Sequence, residues 1–509
     1  MQPIVPSDWI DFSPRLRHRL EGDVLLAYMR RRRWFREKSR RTGTPSITRI
    51  HSFGDDLHRV HLLVVTVGIE ATDTTRYFLP LACACGEEAQ SIEREFPRRI
   101  VADTECDTRR CVIYDGVYSD RFRRYLLSTL LSGQTVHGEI GVLSAHRSAS
   151  PGGPSPPCDY PSHVSHAEQS NTSIIYGERF FFKLFRKIEP GINPDIELTC
   201  YLSETAGYAH VPQYLASLAW EASDAVSALG LLSSFVPDAR DVWTWVRDRV
   251  DQAFDAVLAG EPRDPAPFLD RVALIGRRTG ELHLALAGLP PGEGVAVEDT
   301  GGAHRAALER LVTVTMRRVA DRLAQEESPH RRESLREALA LEEPVLRRVA
   351  QLTRHPTTGQ LIRIHGDYHL GQLLWRADDL VIIDLEGEPA RSLAERRRPD
   401  SVFRDVAGML RSFHYALSDR YLRRCAEQPE QAFQLEPLLS DWYRRTSSAF
   451  LEAYRRTVAG SGLVPEDGGD ALLEVYILEK AVYELGYELD NRPDWISIPI
   501  AGIRFVLEQ

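Results

Sequence analysis

Apolar residues in the first half of the chain are gathered into short runs rich in β-branched and aromatic side chains, which predict β-strands. Polar turns such as Gly54-Asp55-Asp56 separate the first runs, so these form a predicted meander. Helices are expected over 18–40 and over 120–131, and a further helix is expected to begin near Pro194. The predicted strands are residues 47–53, 60–69, 76–81, 111–115, 173–176, 179–185 and 228–236.

Helical spacing dominates the second half of the chain, from Asp241 onward. One β-rich island, residues 361–385, interrupts it. The pattern predicts an α+β protein with a β-rich front half and a mostly helical back half. The predicted helices are residues 241–259, 267–287, 302–326, 331–352, 401–427, 436–460 and 468–490.

The composition is that of a folded chain, with 43% hydrophobic and 27% charged residues among 509. This length suggests about three domains or subdomains. A formal net charge of −10 disfavours nucleic-acid binding, which requires a basic face. The dense basic segment from Arg30 to Arg41 is interpreted as a solvated helix face.

Targeting and redox features favour the cytoplasm. The N-terminus lacks a basic segment followed by an apolar core, and apolar runs such as 62–67 are shorter than the ~20 residues of a membrane helix. The seven cysteines are not spaced as zinc ligands, and we expect free thiols in a reducing compartment. Residues 148–162 hold five prolines and two glycines and are expected to form a loop.

The chemistry is concentrated in the β island, where His365-Gly-Asp-x-His-x-x-Gln372 is followed by Ile383-Asp-x-Glu386. Asp367 is predicted in a loop that a hydroxyl substrate can reach, and Asp384 at the end of an apolar strand. Two carboxylates and the Gln372 amide oxygen suit Mg²⁺, and phosphoryl transfer needs both a metal and a proton acceptor. The alternative is that each Asp only caps a strand. Glu386 could contact a second metal or only close a turn.

A kinase must also hold ATP, and the front half offers candidates. Lys183 lies inside an apolar strand, and Glu197, on the following helix, is its predicted partner. Alternatively, Lys183 is an edge residue whose amine reaches solvent. Before that strand, Ser170, Asn171, Thr172 and Ser173 replace the usual glycine-rich loop with small side chains that can donate to phosphate oxygens.

Several of these segments resemble bacterial maltokinases, within the aminoglycoside-phosphotransferase and kinase-like superfamily. The likeness covers nearly the full length and is most specific in the C-terminal segments. Trp34-Phe-Arg-Glu-Lys38 departs from the family's Trp-Phe-Gly-Gly-Lys. The segments that carry the resemblance are Arg33-Trp-Phe35, Tyr77–Leu81, Ala167–Ser173, Lys183 with Glu197, Gly276–Leu284, the Asp367 loop, Asp405–Arg411, Glu479–Tyr487 and Asn491–Trp495.

The resemblance implies a bilobal, protein-kinase-like fold: an N-terminal cap over residues 1–90, a nucleotide-binding lobe over 91–236 and a helical catalytic lobe over 237–509. It implies Mg²⁺-dependent transfer of the ATP γ-phosphate to maltose, giving maltose 1-phosphate for α-glucan synthesis. It also makes a trehalose synthase a candidate partner. Carried over by position, Asp367 would be the base, Gln372 and Asp384 metal ligands, and Lys183 the phosphate anchor.

The predicted C-terminal helix supplies sugar-binding candidates. Lys480, Tyr483 and Tyr487 share one face of it, with Arg492 following, and aromatic faces with charged groups suit a sugar. A surface helix or a tyrosine stripe in the core is the alternative. His365 is assigned to the sugar site as well, although its position before Asp367 also suits a role in supporting the loop.

Two rival functions follow from the same residues. One is a related small-molecule kinase acting on glucosamine or an aminoglycoside, but the mixed charge of the C-terminal helix does not suit a polycation. The other is a nucleotide-binding scaffold without turnover. The joint presence of Lys183, Glu197, Asp367, Gln372 and Asp384 disfavours the scaffold.

Overall fold

The computed structural model describes two compact units. The first comprises Met1–Thr205 with Pro212–Pro237, and the second comprises Ala206–Val211 with Asp238–Gln509. The chain enters the second unit at Ala206–Val211, returns to the first at Pro212 and leaves it again after Pro237. The described residues are all except 1–5, 39, 56–57, 71–72, 107–108, 150–159, 166–169, 223–224, 262–263, 291–299, 354–358 and 509.

The first unit is built on two antiparallel sheets. One has the order β1-β2-β3-β5-β4 with β11 also on β3, and the other has the order β6-β7-β12-β13-β10-β9-β8. The strands are β1 (Ser46–Phe53), β2 (Val60–Ile69), β3 (Asp73–Cys85), β4 (Ile100–Cys106), β5 (Arg109–Asp115), β6 (Thr135–His137), β7 (Val142–Arg147), β8 (Ser162–Val164), β9 (Thr172–Tyr176), β10 (Phe180–Leu184), β11 (Lys187–Ile188), β12 (Tyr214–Ala222) and β13 (Ala225–Ser234).

Alternation of side chains along these strands gives the unit two large apolar cores, beside a small cluster of Phe185, Tyr214, Ala228 and Leu231. One core lies under the N-terminal helices and contains Trp9, Leu16 and Tyr28, while the other includes residues of both sheets. The predicted cap boundary near residue 90 falls within the helix Glu87–Glu95, which connects β3 to β4 of the same sheet. The helices of this unit are α1 (Pro6–Ile10), α2 (Pro14–Arg19), α3 (Leu25–Arg30), α4 (Glu87–Glu95), α5 (Asp120–Ser132) and α6 (Pro194–Cys200).

The basic segment that follows α3 differs from its prediction. The helix ends at Arg30, and the chain then turns so that Trp34 and Phe35 are buried. Arg32 is buried as well and donates to the carbonyl of Arg98. The prediction of one solvated helix face over this segment is therefore wrong, because only part of its charge reaches water.

Helices dominate the second unit, in which α9, α10, α11, α15 and α16 share one apolar core. The predicted helix 331–352 is divided at Leu341, and the first part of the β island forms only a bridge at Ile362. The helices are α7 (Val242–Leu258), α8 (Ala266–Ala287), α9 (Thr300–Gln325), α10 (Pro329–Ala340), α11 (Glu342–Leu352), α12 (Leu393–Arg396), α13 (Phe403–Glu427), α14 (Ala432–Val458), α15 (Gly469–Asn491) and α16 (Ser497–Leu507); the strands are β14 (Arg240–Asp241), β15 (Leu373–Arg376) and β16 (Asp379–Ile382).

One pair of cysteines is not free. Cys85 on β3 and Cys111 on β5 face each other in the antiparallel register and form a disulfide, so the prediction of free thiols is wrong for this pair. Cys200 and Cys425 carry free thiols. Among the described helices, none combines the length and apolar character that crossing a membrane requires. Most of the proline-rich stretch 148–162 lies outside the described residues.

Candidate functional site

The loop that carries Asp367 is fixed by a buried carboxylate on α13. Asp405 accepts the backbone N–H groups of His365 and Gly366, each at 2.8 Å. Its Oδ2 also lies 3.1 Å from Nε2 of His283 on α8, and both side chains are fully buried. Burial opposes ionisation, but the hydrogen bonds from His283 and Gly366 hold the pKa of Asp405 below its usual value. An ionised Asp405 thus holds the loop backbone in place.

Asp367 opens into a pocket of about 370 Å³ in the second unit. This volume is within the usual range for small-molecule sites. The pocket mixes carboxylates, cations and an aromatic ring, which suits a polar ligand with C–H faces. It is lined by Ala307, Leu308, Leu311, Gly366, Asp367, Tyr368, Glu388, Ala390, Arg391, Arg404, Gly408, Glu479, Lys480 and Tyr483.

The pKa of Asp367 is raised to about 7, first by burial and then by the negative charge of Glu388, with smaller contributions from Asp384 and Asp405. Lys480 acts in the opposite direction and lowers it. A carboxylate with this pKa accepts a proton near neutral pH more readily than an ordinary aspartate does. Asp367 is therefore suited to act as a general base toward a hydroxyl group in the pocket.

One wall of the pocket is a network of paired charges. Glu479 on α15 contacts Arg404 on α13 at 2.7 Å and Nε2 of His304 on α9. Arg404 also pairs with Asp400, which accepts a hydrogen bond from the hydroxyl of Tyr476 at 3.2 Å. Although burial opposes ionisation, Arg404 and His304 hold the pKa of Glu479 well below its usual value. The wall is thus ionised but internally balanced.

The predicted metal ligands flank the β15–β16 hairpin. Gln372 lies directly before β15, and Asp384 and Glu386 follow the end of β16. The amide of Gln372 donates to Oδ2 of Asp384 at 3.2 Å, and the backbone N–H of Ile383 donates to the Gln372 carbonyl at 3.0 Å. Asp384 has a φ of +65°, a conformation that costs a non-glycine residue energy and is typical of functional sites. Glu386 pairs with Arg396 at 3.3 Å. The oxygens of these side chains are of the type that Mg²⁺ binds.

The predicted sugar residues divide into two groups. Lys480 and Tyr483 line the pocket, where Lys480 lies 3.9 Å from Glu388 and the Tyr483 hydroxyl donates to Glu388 at 3.3 Å. His365 is fully buried and contacts the Ile383 carbonyl through Nε2 at 3.0 Å, so the structure favours loop support over sugar contact.

Tyr487 and Arg492 do not line the pocket. Tyr487 is 47% exposed. Arg492 is paired with Glu488 through two hydrogen bonds and lies over the Trp495 ring at 4.3 Å. Their assignment to the sugar site therefore stays a prediction that the lining of this pocket does not support.

In the first unit, the amine of Lys183 on β10 donates to Oδ2 of Asp195 at 2.6 Å. Asp195 lies in the first turn of α6, two residues before Glu197, and Asn193 caps that turn. The structure therefore gives the pairing role to Asp195, while a role for Glu197 stays a prediction. The carboxylate of Asp195 offsets part of the cost of burying the lysine charge.

The predicted phosphate segment runs along the strand next to Lys183. Ser173 on β9 is the direct register partner of Lys183, so the two side chains share one face of the sheet. Thr172 lies opposite Leu184, on the other face, and accepts a hydrogen bond from Nε of Arg186 at 2.7 Å. Asn171 is buried and Ser170 is half-buried. Residues 167–169 lie outside the described residues.

Three contributors to these sites were not predicted: Asp195, Glu388 and the pair of Arg404 with Glu479. Asp195 was recognisable as part of Asn-Pro-Asp, an N-cap sequence that places a carboxylate in the first helical turn. Glu388 is the third acidic residue in Asp384-x-Glu-x-Glu388. Arg404 and Glu479 are 75 residues apart, and no local signal joins them.

Two family profiles match parts of the chain. Residues 28–118 match the maltokinase N-terminal cap domain, and residues 256–434 match the phosphotransferase enzyme family. A glucosamine kinase from Mycolicibacterium smegmatis is 26% identical over 74% of this chain and 85% of its own length. A glucosamine kinase from Streptacidiphilus jiangxiensis is 25% identical over 67% of this chain and 72% of its own.

Solved structures share the fold. A glucosamine kinase in one crystal form matches with a TM-score of 0.62 at 19% identity, covering 91% of this chain and 92% of that one. A glucosamine kinase in complex with glucosamine, ADP and inorganic phosphate matches with a TM-score of 0.61 at 20% identity, covering 91% of this chain and 94% of that one. The bilobal, kinase-like α+β fold predicted from the sequence is confirmed, and the profile match over residues 256–434 supports a phosphotransferase.

Proposed function

We propose that this protein transfers the γ-phosphoryl group of ATP to a hydroxyl of a small sugar bound in the Asp367 pocket. The observation that carries the proposal is a carboxylate with a pKa of about 7 that lines a pocket together with Lys480 and Tyr483. Asp367 orients the acceptor hydroxyl and takes its proton as the oxygen attacks phosphorus. Tyr483 offers its ring to a C–H face of the sugar.

The remaining roles follow from the chemistry of each side chain. Lys183, held by Asp195, contacts the phosphates, and Glu197 and the segment Ser170–Ser173 contribute to the same nucleotide site. Gln372, Asp384 and Glu386 are the proposed Mg²⁺ ligands. When bound, the metal neutralises charge on the β- and γ-phosphates. The left-handed backbone at Asp384 sets the direction of its carboxylate.

Maltose is the proposed acceptor, with maltose 1-phosphate as the product. The match of residues 28–118 to the maltokinase cap supports this choice, as does a pocket with two tyrosines and several charged side chains. A trehalose synthase remains a proposed partner, because it would supply maltose to this reaction.

An amino sugar is the second candidate, and a specific observation favours it. Glu388, Asp384 and Asp405 all raise the pKa of Asp367, whereas Lys480 lowers it. The electrostatic environment of Asp367 is therefore dominated by negative charge, which the ammonium group of glucosamine would offset. The two relatives named glucosamine kinase agree with this alternative.

The deciding experiment measures ADP release with Mg²⁺-ATP and each of maltose, glucosamine, glucose, trehalose and kanamycin. Turnover with maltose alone supports the first candidate, and turnover with glucosamine alone supports the second. Asp367→Asn should lower kcat by about 10²- to 10⁴-fold and leave ATP affinity unchanged. Asp378→Asn is the matched control. Asp378 lies in the turn between β15 and β16, and its side chain is 96% exposed. Wild-type protein that binds ATP but phosphorylates no sugar would contradict the proposal.

A further inference from the structure

Helix α8 contains a segment to which the proposed chemistry gives no role. Residues Gly276–Leu284 are one of the segments that carry the resemblance to known kinases, yet none of them lines the Asp367 pocket. Thr279 and His283 lie in this segment, four residues apart and therefore on the same face of the helix. Both side chains are fully buried. Buried polar groups need hydrogen-bond partners, and those of Thr279 and His283 lead to the loop that carries Asp367.

Thr279 is bonded to the residue that follows Asp367. Its Oγ1 donates to the Ile275 carbonyl at 2.8 Å and lies 2.9 Å from the hydroxyl of Tyr368. Because the single hydroxyl proton of Thr279 is used on Ile275, the Tyr368 hydroxyl is the donor in the second bond. Burial raises the pKa of Tyr368, so this donor keeps its proton at neutral pH. Thr279 thus holds the side chain next to the proposed base.

His283 acts on the other side of Asp367, through Asp405. The ionised Asp405 accepts the backbone N–H groups of His365 and Gly366, and its Oδ2 lies 3.1 Å from Nε2 of His283. Since a carboxylate only accepts hydrogen bonds, Nε2 carries the proton in this contact. The two residues before Asp367 are therefore tied to α8 through one carboxylate.

The other ring nitrogen of His283 is bonded to α14. Nδ1 lies 2.9 Å from the hydroxyl of Tyr454, which is fully buried. Gly280 allows the two helices to approach, because a Cβ at that position would lie 2.7 Å from the Cβ of Thr457 on α14. Burial and the charge of Asp405 raise the pKa of Tyr454, so its hydroxyl stays neutral. The imidazole of His283 cannot turn without breaking one of its two hydrogen bonds.

The position of the Asp367 carboxyl depends on these contacts. A general base must come within about 2.6–3.2 Å of the hydroxyl from which it takes a proton. A displacement of about 1 Å can lower a rate by about 10²-fold. Thr279 restrains the residue after Asp367, and His283 restrains the two residues before it. One face of α8 therefore limits the movement of the loop on both sides of the base.

We infer that Thr279 and His283 are positioning residues for Asp367, and that Tyr454 fixes the orientation of the His283 ring. The inference rests on the proposed function, since it concerns the base of that reaction. None of the three side chains contacts the sugar or the nucleotide in this role, because each acts through the loop. The inference also explains why polar side chains are buried within the Gly276–Leu284 segment.

Hydrogen exchange of the full-length protein tests the inference without relying on turnover. Thr279→Val leaves the Tyr368 hydroxyl without its acceptor, and Tyr454→Phe removes the partner of Nδ1. Amide exchange in a peptide spanning residues 362–372, measured by mass spectrometry, should become at least tenfold faster in both variants. Exchange in the distant helix α16 should stay unchanged, which separates a local effect from general destabilisation.

Thr446→Val is the matched control for these exchange measurements. Thr446 is a fully buried threonine on α14, eight residues before Tyr454, and its hydroxyl has no partner among the described residues. Its replacement removes the same group as Thr279→Val does, but no hydrogen bond that leads to the loop. Loop exchange in Thr446→Val should therefore equal that of wild type.

Steady-state kinetics then measures the effect on the reaction. Thr279→Val and Tyr454→Phe should lower kcat about 10- to 100-fold and leave the KM for ATP unchanged, whereas Thr446→Val should match wild type. Thr279→Ser keeps the hydroxyl and should retain most of the wild-type kcat. Loop exchange and kcat equal to wild type in both Thr279→Val and Tyr454→Phe would overturn the inference. If wild type phosphorylates no sugar, the proposed function fails, and the exchange measurement still decides whether α8 holds the loop.

Discussion

At the scale of single residues, the ionisation of Asp367 controls the proposed chemistry. A protonated carboxyl cannot accept the sugar proton, so kcat/KM should fall as pH drops below the pKa of about 7. Glu388→Gln removes a negative neighbour and should move this acid limb to lower pH. Lys480→Gln removes the positive neighbour and should move it to higher pH. The pH profiles of kcat/KM check both directions, and shifts of the same sign in both variants would contradict the assignment.

The partner of Lys183 is a second test at this scale. Asp195→Asn should weaken ATP binding more than Glu197→Gln does, because it leaves the buried amine without the carboxylate at 2.6 Å. Equilibrium titration with a fluorescent ATP analogue measures both affinities, and a circular dichroism melt shows whether each variant is folded. A larger loss in Glu197→Gln would return the pairing role to the residue that the sequence predicts.

The surroundings of Lys183 and Asp367 show which parts of the site the sequence predicts and which it does not. Lys183 and Asp367 could be recognised because each lies in a short local pattern: a lysine within an apolar strand, and the aspartate of His-Gly-Asp-x-His. The choice between Asp195 and Glu197 could not be made, because a helix of unknown starting angle does not reveal which side faces a strand. Glu388 meets Tyr483 across 95 residues, and only the folded chain brings them together.

At the scale of elements, close approach between helices depends on glycine. A Cβ on Gly276 of α8 would come within 2.2 Å of the Phe450 carbonyl on α14, and one on Gly408 of α13 would come within 2.5 Å of the Tyr368 carbonyl. Neither position tolerates a methyl group without moving backbone. The sequence predicts these helices well, but it does not show which of their glycines are contact points.

Gly276→Ala should therefore destabilise the protein by about 1–3 kcal/mol, because α8 must separate from α14. Chemical denaturation monitored by circular dichroism measures this change. Gly68→Ala is the control, since nothing lies within 4 Å of a Cβ built there, and the unfolding free energy should be unchanged or slightly higher. Equal stability of the two variants would show that the α8–α14 contact adjusts freely.

Gly408→Ala should act on catalysis as well as on stability. The displaced Tyr368 carbonyl belongs to the residue after Asp367, so the base would move relative to the pocket. A shift of about 1 Å can cost 10²-fold in rate. Steady-state kinetics should show a lower kcat with an unchanged KM for ATP. A proportional loss of folded protein at full specific activity would instead indicate a purely structural effect.

At the scale of the whole molecule, the Cys85–Cys111 disulfide joins strands of one sheet within the first unit. Composition suggested free thiols, because seven cysteines in 509 residues do not form a disulfide framework. Pairing depends on strand register, which places Cys85 opposite Cys111 and cannot be read from spacing alone. In denatured, unreduced protein Cys85 and Cys111 should not react with maleimide, and both should react after reduction. Equal labelling, measured by mass spectrometry, would show that the thiols are free.

The charge network along the pocket wall limits how this protein could change its substrate over evolutionary time. Glu479 is bonded to Arg404 and His304, and Arg404 to Asp400, so replacing any one of them leaves a partly buried charged neighbour without one of its partners. Single substitutions there pass through a destabilised intermediate, whereas Glu388 and Lys480, at 3.9 Å, form a looser pair. Substitutions that change the preferred sugar should therefore arise first at Glu388 and Lys480. Substitutions among the residues of the charge network should instead occur together in related sequences.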